Sequence, residues 1–205
     1  MKKLKLFIIS ILVLLFVLVI LTYAAFKFEV FTVNVDFEPD NIKEMNIASK
    51  DLESINLIPI TSLKLKELIR KKNEENNPVI FSLWASHCKP CIREFNIMDS
   101  LNMFSNKDLN FVILNADPIE DSRINTAKKI LYSNNMTFDT YQIDVDENYR
   151  FIITEKILDK YLSKVFADFE VGFPLTKIWN SENELLYDKV GLNEDSLLNT
   201  LNILN

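Results

Sequence analysis

The stretch SLWASHCKPC, Ser82 to Cys91, holds both cysteines of the chain and its only histidine. It is entered through NPVIFSLW, residues 77–84, a turn signal running into a short apolar stretch, which reads as a buried strand. Beyond it, Ile92, Phe95, Met98 and Leu101 recur every three residues, the pattern of a helix with one apolar side. The cysteines therefore fall where a strand gives way to a helix. At such a helix start the first backbone N–H groups lack partners and the dipole is positive, so an anion is stabilised. A thiolate is such an anion. Free cysteine ionises near ~8.5, and a Cys-x-x-Cys pair at a helix N-terminus can reach about 7 or lower. A fall of ~1.5 units is worth ~2 kcal/mol of preference for the thiolate, enough to make Cys88 an attacking group. Cys91 lies one turn deeper on the same face. Its sulfur can close a disulfide with Cys88, or attack a mixed disulfide that Cys88 has formed. Pro90 suits an early helical position, where its missing N–H costs nothing.

Two other uses of the pair stay open. Zinc wants four ligands, and two cysteines, one histidine and no second Cys-x-x-Cys do not supply them. Copper(I) accepts two thiolates and an imidazole, so Cys88, Cys91 and His87 form the alternative metal set. A static staple is disfavoured, because bridging so short a loop removes little chain entropy.

The side of the membrane is read from the other end of the chain. Of its 205 residues, Leu6 to Phe26 carry no charge, and only Ser10, Thr22 and Tyr23 bear polar groups. About 20 apolar residues cross a bilayer core. Lys2, Lys3 and Lys5 precede the run, so the positive-inside rule puts residues 1–5 in the cytoplasm and the rest outside. A cleaved secretory signal has a shorter core of about 7–15 residues. Thr22-Tyr23-Ala24 would nonetheless serve as a small-residue cleavage site, and both readings export the domain. With the three leading lysines set aside, 20 of the 23 basic side chains face 29 acidic ones. That balance argues against a nucleic-acid partner and against an electrostatic grip on anionic lipid.

Residues 27–54 read as a linker and N-terminal extension, with FKFEVFTVNVDF alternating as a strand does and 38–60 an irregular approach to the domain. The domain proper spans 55–205. Thr61 or Ser62 caps a helix to about Lys72, with Leu65, Leu68 and Ile69 inward. LNFVILNAD (109–117) and TFDTYQID (137–144) are strands around a helix over 122–134. Ile157, Leu158, Tyr161, Leu162, Val165 and Phe166 form one amphipathic stripe. PLTKIWN and ELLYDKV flank Ser181-Glu182-Asn183 as a hairpin, and a last helix covers 194–204. This order is an α/β fold with a central mixed sheet flanked by helices. The two glycines, Gly172 and Gly191, are expected where a side chain would interfere.

Trp84-Ala85-Ser86-His87-Cys88-Lys89-Pro90-Cys91, between strand and helix, resembles the active site of thioredoxin-fold proteins. More narrowly it resembles the membrane-anchored TlpA/ResA-like thiol-disulfide oxidoreductases of bacterial envelopes. Gly172-Phe173-Pro174-Leu175-Thr176 is similar to the second signature of that fold, and Gly191 to a glycine before its last helix. The resemblance implies a thioredoxin-like fold and a cis Pro174 beside the cysteines, with the Phe173 backbone free to pair with an extended client. It implies that Trp84 and Pro90 support the site, and that Glu94 tunes the pair and moves its protons; the plain alternative is an exposed helix glutamate. His87 departs from the family's tryptophan and Ser82 from the buried acid of thioredoxins proper, which shifts proton handling to Glu94 or water.

The implied activity is protein disulfide reduction without a cofactor. Cys88 attacks and Cys91 resolves. Disulfide oxidase or isomerase is a further alternative, which Lys89 beside the thiolate mildly favours. The implied partners are exported thiol or disulfide proteins and a transmembrane or soluble electron donor. Apocytochrome c, as in cytochrome c maturation, another thiol enzyme or a metal-site assembly protein would fit as client. The implied place is a bacterial inner (cytoplasmic) membrane, single-pass, with the domain facing the periplasm or outside.

Overall fold

The computed structural model describes residues 52–104, 108–136, 139–145 and 153–204. The expected anchor at 6–26 and the strand-like stretch before residue 38 lie outside them. Among the described residues no helix is long and apolar enough to cross a membrane.

The sheet is built around β2 (Val79–Trp84), all six of whose residues are buried. A strand alternates its side chains, so burial throughout demands cover on both faces. On one side Ile80 and Trp84 pack with Cys91, Phe95 and Met98 of α2 (Lys89–Phe104). Ile130 of α3 (Asp121–Ser133) and Leu197 of α5 (Glu194–Leu204) join the same cluster. On the other side Phe81 and Leu83 meet Leu65 and Ile69 of α1 (Ser62–Glu74) and Leu158 and Tyr161 of α4 (Glu155–Leu162). Each helix is amphipathic and hides one stripe, so the layers follow from the periodicity.

Four strands run parallel: β1 (Leu57–Ile60), β4 (Thr140–Ile143), β3 (Asn110–Asn115) and β2. The hairpin β5 (Leu175–Trp179) and β6 (Leu185–Val190) adds two antiparallel strands, giving the order β1-β4-β3-β2-β5-β6. Parallel strands beside an antiparallel hairpin, with the cysteine pair opening α2 and the Phe173–Pro174 peptide cis, is the thioredoxin-like arrangement the sequence resembles.

Lys177 pins the hairpin. It is 2% exposed, stands opposite Asp188 in the β5–β6 register, and donates to Asp188 Oδ2 at 2.5 Å and to the Asp168 carbonyl at 3.0 Å. A buried lysine needs such partners, and the second bond ties down the loop that leads to Phe173.

Three expectations change. Residues 57–60 form a strand, not an irregular approach: β1 is short and contains Pro59, which an edge strand tolerates because the missing donor is not needed. The stripe from Ile157 to Phe166 outlasts its helix, since α4 ends at Leu162. Val165 and Phe166 reach the same core through a turn, with their N–H groups on the Leu162 carbonyl at 2.8 and 2.9 Å. The glycines serve different ends. A Cβ on Gly172 would collide with Val190 Cγ1, as expected, whereas one on Gly191 would meet nothing within 4 Å. What Gly191 supplies is φ of +79°, a left-handed conformation costly to other residues.

Gly191→Ala should therefore lower the unfolding free energy by about 1–2 kcal/mol, seen as a lower urea midpoint with an unchanged slope. Gly191→Asn should lose less, because asparagine tolerates this region. An alanine variant as stable as the parent would contradict the conformational reading.

Candidate active site

The cysteines sit at the carboxyl end of β2, where the chain leaves the sheet and turns into α2. The Cys88 N–H bonds the Ala85 carbonyl at 3.0 Å, and the Ile92 N–H bonds the Cys88 carbonyl at 3.2 Å. Cys88 is thus the residue before the first helical turn, and its side chain acts as the cap. The Cys91 N–H donates to Cys88 Sγ at 3.2 Å, the bond that a serine or aspartate oxygen makes at an N-cap. Pro90 occupies the first turn, where no N–H is required.

Cys88 and Cys91 are joined as a disulfide with Cα atoms 5.3 Å apart. Their exposures differ: Cys88 is 7% exposed and Cys91 0%. The first cysteine is therefore the more accessible of the two. Trp84 lies fully buried against Phe95, rings T-shaped at 5.0 Å, and both share a cluster with the two cysteines.

The second signature is close by. The antiparallel register pairs Leu83 with Leu175, which brings Pro174 level with the end of β2. Phe173 packs against the cluster that holds the cysteines and sets its ring edge-on to His87, centroids 6.1 Å apart.

Glu94 is not the exposed helix glutamate of the plain alternative. It is 1% exposed and lies three residues beyond Cys91 on the inner side of α2. Ser82 and Thr176 are cross-strand partners of β2 and β5, and their hydroxyls donate to its two carboxyl oxygens at 2.9 and 2.6 Å. Burial pushes this carboxyl up to about 7, against the opposing pull of the Thr176 and Ser82 hydroxyls. Tyr187 of β6 reports the same group from another side: its phenol is pushed up by burial and then by the Glu94 charge. A buried acid is thus brought beside Ser82 from α2, and the Ser82 hydroxyl holds it.

A polar cluster that the sequence did not single out underlies the loop before Cys88. Asp117, just past β3 and 1% exposed, accepts the Ser86 N–H and the Asn115 amide on Oδ2, each at 2.9 Å. Its carbonyl accepts from Gln142 Nε2 at 2.7 Å. The available signal was an acid ending an apolar strand at the carboxyl edge of a parallel sheet, where sites gather.

Among the described residues no three or more His, Cys, Asp or Glu side chains are grouped to hold a metal ion. Two surface cavities beside α1, about 290 and 440 Å³, are lined by none of the site residues.

No protein-family model matches the chain, and no curated protein matches it in sequence. Solved structures do. The thioredoxin domain of a thiol-disulfide oxidoreductase from Bacteroides vulgatus is similar at 20% identity and a TM-score of 0.45, covering 63% of this chain and 81% of that one. A secreted Mycobacterium tuberculosis disulfide oxidoreductase homologous to E. coli DsbE shows 11% identity and a TM-score of 0.43, over 63% and 83%. A thiol:disulfide interchange protein of the thioredoxin family from Chlorobium tepidum shows 12% identity and 0.43, over 70% and 83%. Likenesses this distant carry no activity across.

Glu94 yields a pH signature. Its folded value lies above the ordinary 4.5, so the folded state holds the proton more tightly than the unfolded chain. The stability from this group is complete below about pH 4.5 and is lost as pH rises through about 7. Glu94→Gln keeps the hydrogen bonds without the titration. Between pH 5 and pH 8, with the disulfide intact, stability should shift in favour of the variant by roughly 2 to 3 kcal/mol. A gap that stays constant across that interval would contradict a protonated Glu94.

Proposed function

We propose that this domain is a thiol-disulfide oxidoreductase that reduces disulfides of exported client proteins. The observation that carries the reading is the unequal pair at the start of α2: one sulfur capped by a helix N–H and reachable, its partner one turn deeper and sealed. In the reduced state the N–H that meets Cys88 Sγ would face a thiolate, and a hydrogen bond to an ion is about twice as strong as one to a neutral acceptor.

Cys88 attacks a client disulfide, and the client stays attached through that sulfur. Cys91 then displaces it, giving up its proton to the Glu94 carboxyl three residues on, whose elevated value suits proton exchange near neutrality. Phe173 and Pro174 form the wall beside the sulfurs along which an extended client segment lies. The uncharged run at 6–26 tethers the domain to the cytoplasmic membrane and keeps it outside, and an electron donor in or beyond that membrane re-reduces the pair. The reductive direction rests on the sequence resemblance.

Cys91→Ser should trap clients as mixed disulfides through Cys88, visible in cells as reductant-sensitive bands above the size of the chain. Cys88→Ser should trap none. Identical behaviour of the two variants would overturn the assignment of attacking and resolving sulfurs. Copper retained on purification and lost in His87→Ala would favour the metal-carrier alternative instead.

A further inference from the structure

Among the described residues, two buried acceptors of the Asp117 cluster have no hydrogen bond, Gln142 Oε1 and Asp117 Oδ1, and the second lies against the site. Asp117 Oδ2 is occupied by Ser86 and Asn115, but Oδ1 is buried and unpartnered. What faces it is the histidine ring: His87 Nδ1 lies 3.7 Å from Oδ1. A buried acceptor is costly to leave unmade, and this one is aimed at the residue immediately before the reachable sulfur. Nor can the carboxyl swing away easily, since its other oxygen holds the loop backbone through Ser86 and the Asn115 Oδ1 accepts the Asp117 N–H at 3.0 Å.

His87 is placed for use. Its side chain is 47% exposed, so it stands at the mouth while the carboxyl behind it is sealed. One edge of the ring addresses Asp117 and the ring as a whole meets Phe173 edge-on. An acid that engages Nδ1 fixes the tautomer and leaves Nε2 as the working nitrogen. Other ionisable groups near the sulfurs are Lys89 in the first turn of α2 and Glu94, which belongs to the buried side with Cys91.

We propose that His87 is the general acid–base for exchange at Cys88, and that Asp117 is a positioning residue that holds it. This rests on the oxidoreductase reading above. In the reduced protein His87 Nε2 takes the proton of the Cys88 thiol. The Cys88 thiolate attacks one client sulfur, the Cys88–client bond forms as the client disulfide breaks, and the departing sulfur takes the bonding pair with the proton from Nε2. Cys91, its proton passed to Glu94, then attacks Cys88. The Cys88–Cys91 bond forms, the Cys88–client bond breaks, and the second client sulfur takes up that proton. Two electrons and two protons have moved to the client, and an external dithiol donor returns them. Each sulfur thus has its own proton carrier, His87 at the surface and Glu94 inside.

The test varies the need for a proton on the leaving sulfur. The full chain in detergent, reduced and freed of reductant, is reacted with hydroxyethyl disulfide, whose departing thiolate needs protonation, and with dipyridyl disulfide, whose departing sulfur does not. His87→Gln and Asp117→Asn should each slow the first about 10-fold or more and the second less than about two-fold. The double variant should be no slower than either single one, as expected of two residues acting as a unit. Asparagine can still accept from Ser86; should Asp117→Asn fail to fold, the exposed His87→Gln decides alone. Equal slowing of both disulfides, or of neither, overturns the proposal while leaving the oxidoreductase reading intact. A parent protein that reacts with neither disulfide overturns that reading as well.

Discussion

At the start of α2 the Cys91 N–H points at the Cys88 sulfur, 3.2 Å away. A helix start must find acceptors for its first N–H groups, and here a sulfur stands where a hydroxyl or carboxylate usually does. That choice sets the rest of the site. The cap residue lies at the boundary between buried strand and helix, so its side chain is reachable. The residue three positions on is already inside the helix and against the sheet. An outer sulfur and a fully buried inner one are therefore consequences of capping geometry on a strand buried on both faces, and the proposed attacking and resolving roles follow that difference.

The surroundings supply what two sulfurs alone lack. Reduction of a disulfide moves protons as well as electrons, and a buried thiol cannot lose its proton to water. In the proposed mechanism the carboxyl of Glu94, held between hydroxyls on two adjacent strands, is the internal acceptor. Because burial outweighs those hydroxyls, the acid stays protonated further up the pH scale than an exposed one would. The same physics makes it a liability for stability at neutral pH, a cost of the sort accepted where chemistry needs a tuned group. On the far side of the hairpin, the Lys177–Asp188 pair and its bond to Asp168 hold the approach to Phe173 and Pro174 without touching the sulfurs.

Much of this was legible along the chain. Local signals sufficed for the strand-to-helix junction, the amphipathic α1 and α3, and the hairpin, because each is fixed by residues within one element. Contacts between distant positions were not legible. The resemblance pointed to Glu94, but its burial and its partners Ser82 and Thr176, 12 and 82 residues away on its two oxygens, are visible only in the fold. Asp117 reads as the polar end of a strand until Ser86, 31 residues earlier, is seen to donate to it. β1 was missed because four residues containing a proline carry almost no period, and its identity comes from pairing with β4 across the fold. The α4 stripe misled in the opposite way: apolar spacing persists where a core is near, whether or not the helix continues.

The most direct measurement is the midpoint potential of the Cys88–Cys91 pair in the full chain in detergent, equilibrated in thiol buffers and read by alkylation. A reductant should titrate reversibly with two electrons near the thioredoxin value of about −270 mV. A value near −120 mV would contradict the reductive direction, and a pair that does not titrate reversibly would contradict the redox function itself.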